Sequence, residues 1–191
     1  MIHKGTKELE TNRLVLRKFK IEDANDMYNN WASNPNVSKY VTWSPHEDVN
    51  ETKALLEEWI KRYDDIDTYK WVAEIKDTNE IIGSIDVVSK KFLKFGACEI
   101  GYCYGEKYWG KGYATECLNA VMKYLFNECD AYVIYAEHLL ENPASGKVMQ
   151  KCGMKYEGTL RARYVDPDGI RNDMLSYSIT KDEYKKLNDK R

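Results

Sequence analysis

Tyr108-Trp109-Gly110-Lys111-Gly112-Tyr113-Ala114-Thr115-Glu116 joins a short glycine loop directly to a strongly periodic helix. From Ala114 the apolar residues fall at Ala114, Cys117, Leu118, Val121, Met122, Leu125 and Cys129, the three-and-four spacing of one buried helical face. The first N–H groups of such a helix lack intrahelical acceptors and lie at the positive end of its dipole, so the junction suits an anion, a phosphate above all. Gly110 and Gly112 carry no side chain to obstruct that approach. The same pair also fits a bare tight turn, and this stretch alone leaves both readings standing.

Upstream, residues 97–104 read as a strand that follows two others, residues 71–76 and 81–89, separated by Asp77-Thr78-Asn79-Glu80. These three form an antiparallel meander. Nearer the start, Leu14-Val15-Leu16-Arg17-Lys18-Phe19 is a strand, followed by a helix with Ile21, Ala24, Met27, Tyr28 and Trp31 on its apolar face and Asn34-Pro35-Asn36 at its end. A second helix, with Asn50 as the expected cap, presents Leu55, Leu56, Trp59, Ile60 and Tyr63. Between them lies the irregular segment Tyr40-Val41-Thr42-Trp43-Ser44-Pro45-His46.

Downstream of the long helix, residues 132–138 form a strand that the intervening helix sets parallel to the one ending at Tyr104. A short helix from Pro143 to Lys151 stops at Gly153. Strands around residues 154–160 and 173–179 then flank the turn Asp166-Pro167-Asp168-Gly169. The pattern is α+β, with a mostly antiparallel sheet and one crossover helix, and residues 1–191 read as one domain.

Charge and cysteine usage narrow the function classes. With 29 Lys plus Arg against 31 Asp plus Glu the net charge is -2, which leaves no electrostatic footprint for nucleic acid or an anionic membrane. The five cysteines, Cys98, Cys103, Cys117, Cys129 and Cys152, are odd in number, lack CxxC spacing and fall mostly in apolar periodic segments, as reduced thiols of a cytoplasmic protein would. No apolar run approaches a membrane span, and the first residues lack a signal-peptide core. The histidines, His3, His46 and His138, are too scattered for a metal site, so no metal is expected.

Phosphate loops come in several chemistries. Gly105-Glu106-Lys107-Tyr108-Trp109-Gly110-Lys111 satisfies the first seven positions of a Walker A loop, but Gly112 stands where a Ser or Thr must reach magnesium. Gly110-Lys111-Gly112-Tyr113-Ala114-Thr115 begins like a dinucleotide fingerprint, yet it ends in Thr115 and follows a meander instead of a βαβ unit.

A third possibility accounts for more of the chain. Trp109-Gly110-Lys111-Gly112-Tyr113-Ala114 resembles the acetyl-CoA pyrophosphate loop of the GNAT N-acetyltransferase superfamily, with Trp109 where that pattern has Gln or Arg. Glu99-Ile100-Gly101-Tyr102 resembles the family's fourth strand, and Asn142-Pro143-Ala144-Ser145, continuing to Lys151-Cys152-Gly153, its second signature. Leu9 to Arg17, Asn34-Pro35-Asn36-Val37, Trp43-Ser44-Pro45-His46 and Tyr156-Glu157-Gly158-Thr159-Leu160-Arg161 extend the likeness to the ribosomal-protein N-terminal (alanine) acetyltransferase branch, RimJ/RimL-like, over nearly the whole chain.

That resemblance implies a mixed, mostly antiparallel seven-stranded sheet flanked by helices and splayed at strands four and five. It also implies acetyl-CoA as donor. The diphosphate would rest on N–H groups of Gly110, Lys111, Gly112, Tyr113, Ala114 and Thr115, beside Trp109. The pantetheine would run along Ile100 to Tyr104, with the thioester carbonyl near the N–H of Tyr102 or Cys103, and Asn142 and Ser145 would meet the arm. Many relatives carry a Tyr seven residues after the Asn as proton donor. Here that position is Met149, which has no such proton, so Ser145 becomes the acid candidate.

Each residue also has a plainer reading. Asn142 before Pro143 is a good helix cap, and Ser145 could be a solvated helix serine. Glu99 shares a strand face with Gly101 and could meet solvent or the substrate groove as general base. Trp43, in the irregular segment, would wall the acceptor site. The acceptor is a primary amine, a protein N-terminus foremost, with a polyamine or aminoglycoside as the alternative. A non-catalytic acyl-CoA-binding module on the same fold is the other. The protein is expected as a monomer or homodimer.

Overall fold

Eight strands form one mixed sheet in the order β1-β2-β3-β4-β5-β6-β8-β7, and the computed structural model describes residues 1–166 and 169–189. The strands are β1 (Leu9–Glu10), β2 (Leu14–Arg17), β3 (Lys70–Ile75), β4 (Ile81–Ser89), β5 (Ala97–Tyr104), β6 (Val133–Leu139), β7 (Lys155–Val165) and β8 (Arg171–Thr180). Neighbours are antiparallel except β5 and β6, which run parallel because a helix, α4 (Tyr113–Asn127), carries the chain back between them.

The parallel pairing is short. Ala97, Cys98 and Glu99 lie opposite Val133, Ile134 and Tyr135, and there it ends. Beyond Glu99, β5 stays paired with β4 as far as Tyr104, and β6 stays paired with β8 as far as Leu139. Each strand is held on its outer side and released on its inner side, so the two diverge into a fork. This is the expected splay, with β5 and β6 fourth and fifth once the two-residue β1 is set aside.

Both faces of the sheet are covered. Trp71 and Val72 are consecutive in β3 and fully buried, yet they belong to different clusters, as side chains alternating across a strand must. On one face Cys117, Leu118, Val121, Met122 and Leu125 of α4 pack with Trp71, Ile82, Ile100 and Ile134, together with Met149 of α5 (Pro143–Lys151). On the other face Phe19, Met27, Trp31 and Leu56 pack against Val72 and Ile81.

That second layer departs from a simple helix pair. Residues 21–32 tighten into a 3₁₀ turn at Ile21–Asp23, pass through α1 (Ala24–Met27) and widen into a π turn at Tyr28–Ala32. The Ser33 N–H closes that turn on the Tyr28 carbonyl at 3.1 Å. Asn34 then caps α2 (Pro35–Ser38). For α3 (Val49–Lys61) the cap is Asp48 and not Asn50, because the Asp48 carboxylate accepts from the N–H groups of Asn50 and Glu51.

Three features go beyond the sequence reading. β1 makes an eighth strand, too short to show alternation. A last helix, α6 (Lys181–Asn188), starts at a capping box in which Thr180 and Glu183 satisfy each other's backbone N–H groups. The β7–β8 hairpin is longer than expected and bulges where Leu160 and Tyr164 pair with Met174 and Asn172, leaving Ala162 at φ 53. Of the expected turn at residues 166–169, Pro167 and Asp168 lie outside the described residues.

Candidate active site

The glycine loop owes its form to two left-handed residues. Gly110 has φ 73 and Gly112, the N-cap of α4, has φ 82. A Cβ at Gly110 would meet nothing within 4 Å, and at Gly112 only Arg13 Nη2 at 3.5 Å, so glycine is required by conformation and not by space. Among the described residues, none of the backbone N–H groups of residues 110–115 donates to a protein acceptor. The cradle therefore presents open donors at a helix N-terminus, the arrangement that a diphosphate needs. Trp109, which replaces the usual Gln or Arg, donates its indole N–H to the Tyr104 carbonyl at 2.7 Å and ties the end of β5 to the loop.

Arg13 holds the loop from outside. Its Nη1 donates to the Lys111 carbonyl at 3.1 Å and its Nε to Glu116 Oε2 at 2.7 Å, while the guanidinium lies 4.3 Å from the Tyr113 ring centroid. Glu116 Oε1 also accepts from Thr11 Oγ1 and from the Arg13 N–H, at 2.6 and 2.8 Å. Burial alone would raise Glu116, but the bonds from Thr11 and Arg13 outweigh it and hold the carboxyl below its ordinary value.

At the fork, the two faces of β5 carry different chemistry. On the face of α4 and α5, the Tyr102 hydroxyl lies 2.8 Å from Ser145 Oγ and donates to the Ser145 carbonyl at 3.1 Å. The Asn142 side chain accepts from the Ser145 N–H at 3.3 Å, so the helix-cap reading of Asn142 holds, and the cap fixes Ser145 in the first turn of α5. Met149 is buried and carries no proton toward the fork.

On the opposite face, Glu99 Oε2 accepts from the Tyr135 hydroxyl at 3.3 Å. Burial, and then the Glu99 charge, push the Tyr135 phenol up to about 12, so it stays a donor. Glu137 follows two residues later on the same face, raised above its ordinary value by burial and by Glu99, with Arg163 Nε 3.8 Å away pulling the other way. Trp43 is half-buried, packs on the α1 and α3 side and lies 5.8 Å from the His46 ring. The bulged hairpin reaches this segment, where the Tyr164 hydroxyl donates to the Val41 carbonyl at 2.9 Å. Burial pushes the Cys103 thiol up to about 12, which favours the protonated thiol at neutral pH.

The structure thus brings Tyr102, Asn142 and Ser145 together, sets Glu99 across the strand from them, and keeps the loop residues as a separate cradle at the start of α4. Sequence reasoning missed Arg13, Tyr135, Glu137 and Arg163. Tyr135 and Glu137 share the parity of Glu99 across a parallel pair and were findable once its register was given. Arg13 left no local signal, because its partner Glu116 lies 103 residues away.

Open backbone donors at the head of a helix, together with a forked parallel pair that has hydroxyls on one face and a carboxylate on the other, suit an acyl-CoA acyltransferase. The description "Acetyltransferase (GNAT) domain" matches residues 13–155. The chain is 31% identical over 178 residues to the uncharacterized N-acetyltransferase p20 of Bacillus licheniformis, covering 92% of this chain and 97% of that protein. It is 28% identical over 179 residues to the ribosomal protein uS5-alanine N-acetyltransferase of Escherichia coli, covering 90% of each. A GNAT acetyltransferase structure from Bacillus anthracis matches with a TM-score of 0.81 at 25% identity, covering 92% of this chain and 99% of that one. The chain belongs to the GNAT acetyltransferases, which move an acetyl group from acetyl-CoA to an amine.

Proposed function

We propose that the acceptor is the α-amine of a protein or peptide N-terminus and that the acetyl group passes to it directly, with Glu99 as base and Ser145 on the leaving-group side. The observation that carries this reading is the fork, with Glu99 on one face of β5 and the Tyr102 and Ser145 hydroxyls on the other. An amine entering beside Glu99 and a sulfur leaving beside Ser145 then use opposite sides of one gap, and no acyl-enzyme is needed.

Residues 110–115 would hold the CoA diphosphate, with Trp109 fixing the loop and Asn142 and Ser145 meeting the pantetheine arm. The oxyanion donor follows from strand parity. Gly105 donates its N–H to Ile82 on β4, so two-residue alternation turns the N–H groups of Tyr102 and Tyr104 toward the open side and that of Cys103 away. Tyr102 N–H is the better placed of the two expected donors, and it would stabilise the charge that develops on the thioester oxygen.

The acceptor's own basicity favours an α-amine. With a pKa of about 7.7 to 8.0 it costs about 1 to 1.4 kcal/mol to deprotonate at pH 7, whereas an amine near 10.4 costs about 4.6. Glu99, directly or through a water, supplies enough base for the first. Arg163 beside Glu137, with the exposed Arg161 on the same bulge, makes this wall mixed in charge, which suits a single ammonium better than a polyamine or aminoglycoside. Among the described residues the five cysteines form no disulfide, which fits a reducing cytoplasm.

The test is thiol release from acetyl-CoA with a panel of peptides, polyamines and aminoglycosides. Peptides with a free α-amine should turn over fastest, and a polyamine or aminoglycoside turned over tenfold faster would overturn the acceptor assignment. CoA binding without thiol release for any amine would instead favour the binding module.

A further inference from the structure

The Tyr102 and Ser145 contacts allow two proton arrangements. Tyr102 has one hydroxyl proton and two oxygens of Ser145 within reach, the carbonyl at 3.1 Å and Oγ at 2.8 Å. When that proton lies on the carbonyl, the Ser145 hydroxyl must donate to Tyr102, and its own proton is engaged there. When Tyr102 donates to Oγ instead, the Ser145 proton is freed to face a group in the gap. Asn142 fixes the Ser145 N–H, so these hydroxyl rotations need no backbone movement.

Proton affinities limit what this pair does. An alkyl hydroxyl is a far weaker acid than a thiol of pKa about 8.5, and burial raises the Tyr102 phenol further above its ordinary value. Neither gives up its proton to a thiolate. Both can donate hydrogen bonds to one, directly or in series, and such charge-assisted bonds are the strong ones.

We propose that CoA departs as a thiolate held by the Ser145 hydroxyl, with Tyr102 as the positioning residue that donates to Ser145 Oγ and aims the Ser145 proton at sulfur. In this step the C–S bond breaks and its electron pair stays on sulfur. The surplus proton of the acylated amine leaves through Glu99 to water, and the thiolate takes its proton from solvent after release. The inference refines the Ser145 role stated under Proposed function and rests on that reading for where sulfur lies. It assigns Tyr102 a function that its place on the β5 wall does not by itself require.

The readout is the ionisation of CoA thiol bound to the protein, followed by thiolate ultraviolet absorption as pH is raised. Bound to the wild type, the thiol should ionise about ten times more readily than free CoA, one pH unit lower. Tyr102→Phe, which keeps the ring, should return most of that shift, as should Ser145→Ala. The double variant should add little to Ser145→Ala alone, because Tyr102 acts through Ser145. In turnover, Tyr102→Phe should lower kcat about 5- to 30-fold with the acetyl-CoA KM within about twofold.

A Tyr102 that merely fastens α5 to β5 would leave the thiol titration unmoved. An unshifted thiol on the wild type, a Tyr102→Phe titration equal to the wild type's, or additive losses in the double variant each overturn the proposal. The titration needs only CoA binding, so a wild type that acetylates no amine sinks the acceptor reading while this test still runs.

Discussion

Arg13 and Glu116, 103 residues apart, are joined by a 2.7 Å bond from Nε to Oε2, and the same guanidinium grips the Lys111 carbonyl at 3.1 Å. With that carbonyl drawn outward to Arg13, the loop's N–H groups are left to face the cradle. The ion pair therefore braces the backbone of the glycine loop.

Removing the brace should loosen the cradle without unfolding the sheet. Arg13→Ala is expected to weaken acetyl-CoA binding about 5- to 30-fold in calorimetry, one or two lost hydrogen bonds. An affinity equal to the wild type's would remove Arg13 from the site. Glu116, held below its ordinary value, adds stability that is present above the unfolded carboxylate value of about 4.3 and lost as pH falls through the lower folded value. Glu116→Gln should flatten that acid limb in denaturant melts.

Gly112 tests the loop itself. At φ 82 a side chain costs roughly 1 to 2 kcal/mol of backbone strain, and the relaxed loop would turn its N–H groups away. Gly112→Val should bind acetyl-CoA at least tenfold more weakly, and unchanged binding would show that the cradle is not used.

Glu99 and Ser145 should fail in different ways. Ser145→Ala is expected to lower kcat about 10- to 100-fold with little change in acetyl-CoA affinity. Glu99→Gln should lower the rate by about 10²-fold near pH 7, with recovery as pH rises toward the acceptor's own pKa of about 8. A Glu99→Gln rate that stays low and flat with pH would argue against a base role.

Gly146 controls how closely α5 approaches β6. A Cβ there would lie 2.6 Å from His138 Nε2, and that ring is fixed by a 2.8 Å contact with the Leu139 carbonyl and by stacking on Tyr177. Gly146→Ala should cost about 1 to 3 kcal/mol and displace Ser145, so Tm and kcat fall together. A wild-type Tm would mean that the ring moves aside freely.

His138 also predicts a pH dependence. Burial lowers its pKa, and Nε2 is buried with no hydrogen-bond partner among the described residues. The unfolded chain then binds the proton first, so the contribution is full above the unfolded value of about 6.5 and is lost as pH falls through the lower folded value. His138→Phe should make stability less sensitive to pH over that range. An unchanged profile would mean that His138 is not the group that titrates.

Much of this was legible from periodicity. The bounds of β5 and α5 and the parallel pairing of β5 with β6 follow from apolar spacing, a proline and a glycine, all local signals. Local reading went astray where two neighbours competed, as at Asp48 and Asn50, because both can cap and only the backbone path decides which side chain faces the free N–H groups. The π turn at Tyr28–Ala32 and the bulge before Tyr164 were silent for the same reason, since an extra residue in a turn or a strand changes geometry without changing composition.

The sequence by itself determined the donor. A glycine conformation and a helix N-terminus are properties of a few consecutive residues, so a loop suited to phosphate, and the Asn142 and Ser145 signature that joined it, could be read in one dimension. The tertiary structure decided which side chains meet at the loop and at the fork. Arg13 against Glu116, Tyr102 against Ser145, and Glu99 beside Tyr135 and Glu137 are contacts between elements far apart in the chain. They arise because β5 and β6 part after Glu99, and no local pattern encodes where two strands cease to pair.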